Sequence, residues 1–171
     1  RDLKEGAGAC PAGLISRAAI TMVPVAHPGP SGEPTWHSVF REQIVWAKAR
    51  RDAVRDCIKK AAKPCIVFVG DIRNGQLAQT VMDARALGFN TAAVEGKVRG
   101  KDKLIDDING GMYDVVVSTE VFQEGVDIPE LAAVIVATGE KSIVATMQRI
   151  GRGMRRTRTK AVFEVWDMFD Y

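Results

Sequence analysis

The sequence predicts an α/β protein of three layers, in which helices cover both faces of a mainly parallel sheet of about six strands. Short apolar runs alternate along the chain with segments whose apolar residues recur at helical spacing, as they do in β-α units. The run of residues 65–69 is apolar without alternation, which is typical of a strand covered on both faces. A length of 171 residues suits one such domain.

The first part of the chain is predicted to form an extended segment, a loop and a long helix. Residues 18–26 are the first predicted strand, and residues 27–34, with three prolines and two glycines, are a loop. A helix is predicted over residues 39–62, ended by Pro64. Its apolar stripe consists of Phe40, Ile44, Ala47, Val54, Ile58 and Ala61.

Strands and helices alternate through the rest of the chain. Further strands are predicted at residues 65–69, 91–94, 113–117, 132–137 and 161–165. Helices are predicted at residues 74–87, 101–108 and 142–151. Gly88 is placed to stop the first of these helices, and Ser142 can cap the last. Residues 166–171 are predicted to be a short tail.

Composition sets limits on the class of protein. Residues 18–171 are predicted to form the domain, and residues 1–17, without clear periodicity, a linker or the end of an upstream domain. No apolar run approaches the roughly 20 residues that cross a bilayer, and the first residues are too polar for a secretory signal. The three cysteines have no metal-binding spacing, which predicts free thiols in the cytoplasm and no metal site.

Charge is distributed unevenly along the chain. Residues 141–160 contain seven lysines and arginines and no acidic residue, whereas residues 102–130 are predominantly acidic. A basic block of this kind is usually a solvated face, and anion binding is the alternative.

A first group of candidate site residues follows the predicted strand at residues 113–117. In open parallel sheets, sites form beyond the carboxyl ends of the strands. The hydroxyls of Ser118 and Thr119 suit a phosphate oxygen of a polynucleotide. In the following segment Glu-Gly-Val-Asp-Ile-Pro, Gly125 permits close backbone approach and Asp127 can accept a bond from a ribose hydroxyl. A simple turn ended by Pro129 is the alternative interpretation.

A second group lies on the predicted helix at residues 142–151 and just beyond it. Gln148, Arg152 and Arg155 are spaced to share one helix face. Two arginines one turn apart can bind a phosphate through planar, bidentate hydrogen bonds. A solvated basic helix end is the alternative, and it would also suit the helix dipole.

Taken together, these segments resemble motifs V and VI of superfamily 2 helicases. Motif V corresponds to the run from Glu124 to Pro129, and motif VI to Gln-x-x-Gly-Arg-x-x-Arg, which begins at Gln148. Residues 65–69 resemble motif IV, and Gly96 followed by Arg99 resembles another family feature. The resemblance covers residues 20–170. It is closer to DNA translocases of the phage recombination, excision-repair and restriction-enzyme types than to RNA-dependent DEAD-box proteins.

The resemblance implies a RecA-like fold and a role for each matching residue. Arg152 and Arg155 would contact the γ-phosphate of ATP, with Arg155 as the arginine finger, and Gln148 would couple that phosphate to the domain interface. Gly125 and Asp127 would face the nucleotide sugar. A DNA strand, or alternatively RNA, would be bound through its phosphates by Ser118, Thr119, Arg99 and Arg73.

The groups that would bind ATP tightly are not in this sequence. A phosphate-binding loop ends in Gly-Lys-Ser or Gly-Lys-Thr, whereas Gln76 and Leu77 follow Gly75, and no Asp-Glu pair is present to hold Mg²⁺. We therefore expect ATP and Mg²⁺ to be held mainly by an upstream RecA-like domain of the same protein, and the isolated chain to be inactive. The resemblance places the protein in the cytoplasm of a bacterial or phage-infected cell.

Three functions are compatible with the sequence. The first is the second motor domain of an ATP-dependent DNA helicase or translocase. The second is a non-catalytic helicase-like module that binds nucleic acid or protein. The third is a stand-alone doubly wound enzyme acting on a small nucleotide, which predicts measurable nucleotide affinity in the isolated chain.

Overall fold

The computed structural model shows a parallel sheet with helices on both faces. It describes residues 16–26, 35, 42, 45–70, 75–95, 101–119, 128–138 and 162–170. The strands within these ranges are β1 (Arg17–Val25), β2 (Cys65–Phe68), β3 (Thr91–Val94), β4 (Val115–Ser118), β5 (Ala133–Val136) and β6 (Val162–Asp170). The helices are α1 (Lys48–Lys60), α2 (Gln76–Ala86) and α3 (Lys101–Asn109).

All six strands belong to one sheet, in the order β1-β6-β5-β2-β4-β3. Every neighbouring pair is parallel. The three central strands β5, β2 and β4 are buried at every position, as the absence of alternation in their sequences predicts. The predicted fold class, a mainly parallel sheet of about six strands in an α/β protein, is confirmed.

Successive residues of β2 point to opposite faces of the sheet, where two separate apolar clusters cover them. On one face, Val54 of α1 and Val81 of α2 pack in the cluster that contains Val67. On the other face, Ile108 of α3 packs in the cluster that contains Ile66. Among the described elements, the three layers therefore consist of α1 and α2, the sheet, and α3.

The prediction of one continuous helix over residues 39–62 is wrong. Helix α1 begins at Lys48, and Ala47 before it has an extended backbone with φ −60° and ψ 118° and no side-chain cap. Contacts with the rest of the fold position the start of the helix, and the local sequence holds no capping signal. Val54, Ile58 and Ala61 of the predicted stripe are buried, while Phe40 and Ile44 lie outside the described residues.

The prediction of a tail over residues 166–171 is also wrong, because β6 continues to Asp170. Its nine residues pair in register with all nine residues of β1, from Arg17 opposite Val162 to Val25 opposite Asp170. Asp167 and Asp170 interrupt the apolar pattern that marked the predicted strand at residues 161–165. The long edge strand β1 provides the hydrogen-bonding partner that extends the strand beyond that pattern.

Gly88 stops α2 as predicted. Its φ of +89° is one that side chains with a Cβ rarely adopt, and the Gly88 N–H donates to the Arg85 carbonyl at 2.9 Å. The Phe89 N–H donates to the Ala84 carbonyl at 3.2 Å, which completes the usual bonding of a glycine-terminated helix. In the parts of the chain that the structure describes, no helix has the length and apolar character needed to cross a membrane. The predicted loop at residues 27–34 and helix at residues 142–151 lie outside the described residues.

Candidate functional site

The carboxyl ends of the strands meet at one edge of the sheet, which we call the carboxyl edge. Three backbone hydrogen bonds join the residues there. The Val69 N–H donates to the Ser118 carbonyl at 2.9 Å, and the Ala137 N–H donates to the Phe68 carbonyl at 2.8 Å. The Thr119 N–H donates to the Val94 carbonyl at 3.3 Å. The ends of β2, β3, β4 and β5 are therefore adjacent.

Ser118 and Thr119 are the two candidate site residues that the structure describes. The Ser118 side chain is fully buried, and its hydroxyl donates to the Thr119 carbonyl at 2.6 Å. Thr119 is 9% exposed, beside the end of β3. Thr119 is thus the more exposed of the two residues, and the part of both in phosphate binding remains a prediction.

The other candidate site residues lie outside the described residues, but the chain positions that flank them are known. Each interval that contains them follows a strand that ends at the carboxyl edge. Residues 71–74 follow β2, residues 96–100 follow β3, residues 120–127 follow β4, and residues 139–161 follow β5. In chain order these intervals contain Arg73, Arg99, Gly125, Asp127, Gln148, Arg152 and Arg155.

Two buried polar side chains that the sequence did not reveal bind backbone groups at the carboxyl edge. Gln76, at the start of α2, accepts a hydrogen bond at its Oε1 from the Gly70 N–H at 3.0 Å. Arg50, in the first turn of α1, donates from its Nε to the Ala137 carbonyl at 3.4 Å. Arg50 is 1% exposed. Its place four residues before Val54 on the buried stripe is the sequence signal that could have identified it.

An ionic cluster joins α1 to α2 on the same face of the sheet. Arg51 donates from its Nε to Asp83 Oδ2 and from a terminal nitrogen to Asp83 Oδ1, both at 2.6 Å. Arg55 and Gln79 also donate to Oδ1, at 3.0 and 3.3 Å. The hydrogen bonds from Arg51 hold the pKa of the Asp83 carboxyl below its ordinary value, against the opposing effect of burial. Asp83 therefore remains ionised and ties the two helices together.

A small cleft opens between the two helices above this cluster. Its wall includes Trp46, Lys48, Gln79 and Asp83, and its volume is about 120 Å³. Sites for small molecules usually measure roughly 300–1,000 Å³, so this cleft is too small to enclose a nucleotide. The Trp46 side chain is 57% exposed at its rim.

The two described cysteines are buried and free. Burial raises the pKa of the Cys57 thiol to about 11 and that of the Cys65 thiol to about 12. Both thiols are therefore protonated at neutral pH, as is usual for buried structural cysteines. Among the residues described, no three His, Cys, Asp or Glu side chains are grouped so that they could hold a metal ion.

Known proteins resemble this chain in sequence and in fold. The family described as the helicase conserved C-terminal domain matches residues 49–157. That range begins in α1 and includes both candidate motifs.

Several curated proteins match parts of the chain. "Putative helicase 22" of a Sulfolobus islandicus filamentous virus is 30% identical over 97 residues, which cover 57% of this chain and 17% of that protein. "ATP-dependent DNA helicase uvsW" of Enterobacteria phage T4 is 37% identical over 62 residues, covering 36% and 12% of the two chains. "UvrABC system protein B" of Staphylococcus aureus is 29% identical over 96 residues, covering 53% and 14%. The matched segment is thus less than a fifth of the length of each relative.

The crystal structure of T4 UvsW has a similar fold. The TM-score is 0.63 at 20% sequence identity, over 90% of this chain and 32% of the UvsW chain. The six-stranded parallel sheet is therefore the RecA-like architecture of a helicase C-terminal domain.

Proposed function

The chain belongs to the helicase conserved C-terminal domain family of superfamily 2, and on this premise we propose that it is the second motor domain of an ATP-dependent DNA helicase or translocase. In this proposal residues 18–171, together with Arg17 at the start of β1, form the domain, and the residues before them join it to an upstream RecA-like domain. The observation that carries the proposal is the family match over residues 49–157, which runs through both motifs. The segments that contain those motifs both leave the sheet at the carboxyl edge.

The proposed catalytic contribution of this chain is the neutralisation of charge on the γ-phosphate of ATP. Arg152 and Arg155 donate hydrogen bonds to that phosphate as bond cleavage proceeds, with Arg155 as the arginine finger. Gln148 links the same phosphate to the domain interface, while Gly125 and Asp127 face the nucleotide sugar.

The strand order supports a shared site for these residues. Strands β5 and β4, which lead into residues 139–161 and 120–127, lie on either side of β2. Adjacent strands are separated by about 4.8 Å, so the two segments start roughly 10 Å apart. That separation allows both segments to reach one nucleotide.

The proposed nucleic-acid track uses the neighbouring strand ends. In the sheet, β4 lies between β2 and β3. Thr119 follows β4, and the segments that contain Arg73 and Arg99 follow β2 and β3, so these segments start on either side of Thr119. Phosphates bound there would contact Thr119, Arg73 and Arg99. The Ser118 hydroxyl would have to exchange its present bond to the Thr119 carbonyl to join them. DNA is proposed as the track because one matched relative is named as a DNA helicase.

ATP and Mg²⁺ belong to the proposed upstream domain. When they are bound there, Mg²⁺ neutralises phosphate charge. This chain closes over the triphosphate and adds its arginines to the site. The isolated chain is accordingly proposed to hydrolyse nothing.

The test compares the complete gene product with residues 1–171 alone. ATP hydrolysis is measured without nucleic acid and with single-stranded DNA, duplex DNA, branched DNA and RNA. We expect the complete protein to show hydrolysis that DNA stimulates, and the isolated chain to show none. A complete protein without hydrolysis under every condition would instead be a binding module. Tight ATP binding by the isolated chain in an equilibrium titration would point to a stand-alone nucleotide enzyme.

A further inference from the structure

We propose that Arg50 is a positioning residue for the arginines that follow β5. It holds the end of that strand and thereby sets where residues 139–161, which contain Arg152 and Arg155, leave the sheet. This inference rests on the proposed function of those two arginines.

The geometry at Ala137 supports this role. Ala137 is the first residue after β5 and is fully buried. Its N–H donates to the Phe68 carbonyl at 2.8 Å, which ties it to β2. Its carbonyl accepts from Arg50 Nε at 3.4 Å, across 87 positions of sequence. The backbone at the end of β5 is therefore held from the sheet on one side and from α1 on the other.

The cost of burying Arg50 argues against a role in packing alone. Val54 and Ile58 lie on the same buried face of α1, and each contributes only apolar surface to the core. A guanidinium at 1% exposure loses its hydration, and an apolar side chain of similar volume is often as stable in such a place. What the guanidinium adds is a directed donor on a strand-end carbonyl.

The second buried anchor at the carboxyl edge provides a contrast. Gln76 binds the Gly70 N–H at the end of β2, beside residues 71–74, and the predicted motif VI arginines are not in that segment. Arg50 and Gln76 thus hold neighbouring strand ends, but different segments of the chain follow those ends. Loss of Arg50 should affect the chemical step, because its strand end leads to the predicted arginine finger.

The test uses Arg50→Met and Arg50→Lys in the complete protein, with Asp83→Asn as the control that loosens α1 at its contact with α2 and leaves the contact with Ala137 in place. We expect Arg50→Met to lower kcat for ATP hydrolysis by about 10- to 100-fold, since small displacements of a catalytic group have effects of that order. KM for ATP and the Kd for DNA should stay near wild type. Arg50→Lys, which keeps a charged donor, should give an intermediate kcat. Asp83→Asn should lower thermal stability and leave kcat unchanged.

A double mutant tests whether Arg50 acts on kcat through Arg155. In the Arg155→Ala background, Arg50→Met should lower kcat little further, because the group that it positions is already absent. A wild-type kcat in folded Arg50→Met would overturn the inference, as would equal losses in Asp83→Asn. If Arg50→Met does not fold, a wild-type kcat in Arg50→Lys would overturn it. Failure of the proposed function is a separate result, seen as absent hydrolysis in the wild type or near-normal kcat in Arg155→Ala alone.

Discussion

At both the carboxyl edge of the sheet and the opposite, amino edge, side chains bind backbone groups near the strand ends, but those side chains differ in burial. At the carboxyl edge the binding groups are Arg50, Gln76 and Ser118, all of which are buried. At the amino edge they are partly exposed. The Glu164 carboxylate accepts hydrogen bonds from the Ala62 N–H and from the Trp166 indole, both at 3.0 Å.

The two edges also differ in the segments to which the held residues lead. At the amino edge, Asp114 accepts from the Asn90 N–H at 2.9 Å, and Lys63 donates to the Ile58 and Ala61 carbonyls at 2.6 Å. These contacts lie in the segments that connect a helix to the strand after it. At the carboxyl edge the held residues precede the segments that contain every predicted catalytic arginine. Similar bonds therefore serve stability at one edge and, by our proposal, placement of reactive groups at the other.

If the carboxyl edge positions reactive groups and the amino edge does not, the largest loss of ATP hydrolysis is expected for Arg155→Ala in the complete protein. An arginine finger contributes about 10³- to 10⁵-fold to turnover where it has been measured, so we expect ATP hydrolysis to fall by at least about 10³-fold. DNA affinity should change little, because the predicted DNA contacts come from other segments. Steady-state kinetics and a DNA titration check this, and near-normal turnover would remove Arg155 from the mechanism.

Asp83→Asn should destabilise the fold without altering chemistry. The Asp83 carboxylate is buried and joins α1 to α2 through Arg51 and Arg55, so its loss should cost about 2 kcal/mol in the free energy of unfolding. Denaturant unfolding measures this cost. A wild-type midpoint would show that water replaces the cluster without loss.

The same carboxylate predicts a pH dependence on the acid side. Because the pKa of Asp83 is lowered in the folded state, its ionisation stabilises the protein above the unfolded-state pKa of about 3.9. That contribution is lost as the pH falls through the lower, folded-state pKa. The difference in unfolding free energy between wild type and Asp83→Asn should therefore be constant above about pH 5 and shrink below about pH 4. A difference that does not change with pH would contradict the assignment.

A matched pair of glycine substitutions compares the edges directly. Gly75, at the carboxyl edge, has φ +82°, and Gly88, at the amino edge, has φ +89°. Alanine at either position should cost roughly 1–2 kcal/mol, because a Cβ is strained in left-handed backbone. Among the residues that the structure describes, a Cβ on Gly88 would meet no atom within 4 Å, and one on Gly75 would meet Trp46 at 3.9 Å. Only Gly75→Ala, next to residues 71–74, should also weaken stimulation by DNA, and equal effects of the two substitutions on stimulation would remove the distinction between the edges.

The smallest effect is expected for Glu164→Ala at the amino edge. The Ala62 N–H and the Trp166 indole would lose an acceptor, but both are only partly buried, so water can replace it at a cost of about 1 kcal/mol. Thermal unfolding measures the loss. ATP hydrolysis by the complete protein should be unchanged, and a large loss of turnover would show that the amino edge also affects the site.

The central strands and the end of α2 could be predicted, because residues close together in the sequence determine them. The central strands β2, β4 and β5 are recognisable because strands buried on both faces are apolar at nearly every position. The stop of α2 was recognised because Gly88 alone can adopt its conformation without strain. Near the start of α1, Arg50 and Arg51 contact Ala137 and Asp83, and the full length of β6 pairs with β1. These partners are distant in sequence, so no local pattern reveals them.

The candidate site divides in the same way. Resemblance to a known family indicated the motif residues, and the parallel order of the strands indicated that their segments share an edge. The contacts of Arg50 with Ala137 and of Arg51 with Asp83 span 87 and 32 positions, and no residue pattern connects them. The spacing of four residues between Arg50 and Val54 was the one sequence signal that Arg50 lies on the buried face of α1.

The pairing of β1 with β6 has a mechanical consequence. Arg17, where β1 begins, lies at the amino edge, and Asp170, where β6 ends, lies at the opposite edge. Tension between these two points pulls the strands past each other along their length and loads the nine-residue ladder in shear. Its hydrogen bonds then bear the force together and do not open one after another. In the proposed translocating motor load passes through the domains, and this arrangement would resist such load where β1 pairs with β6.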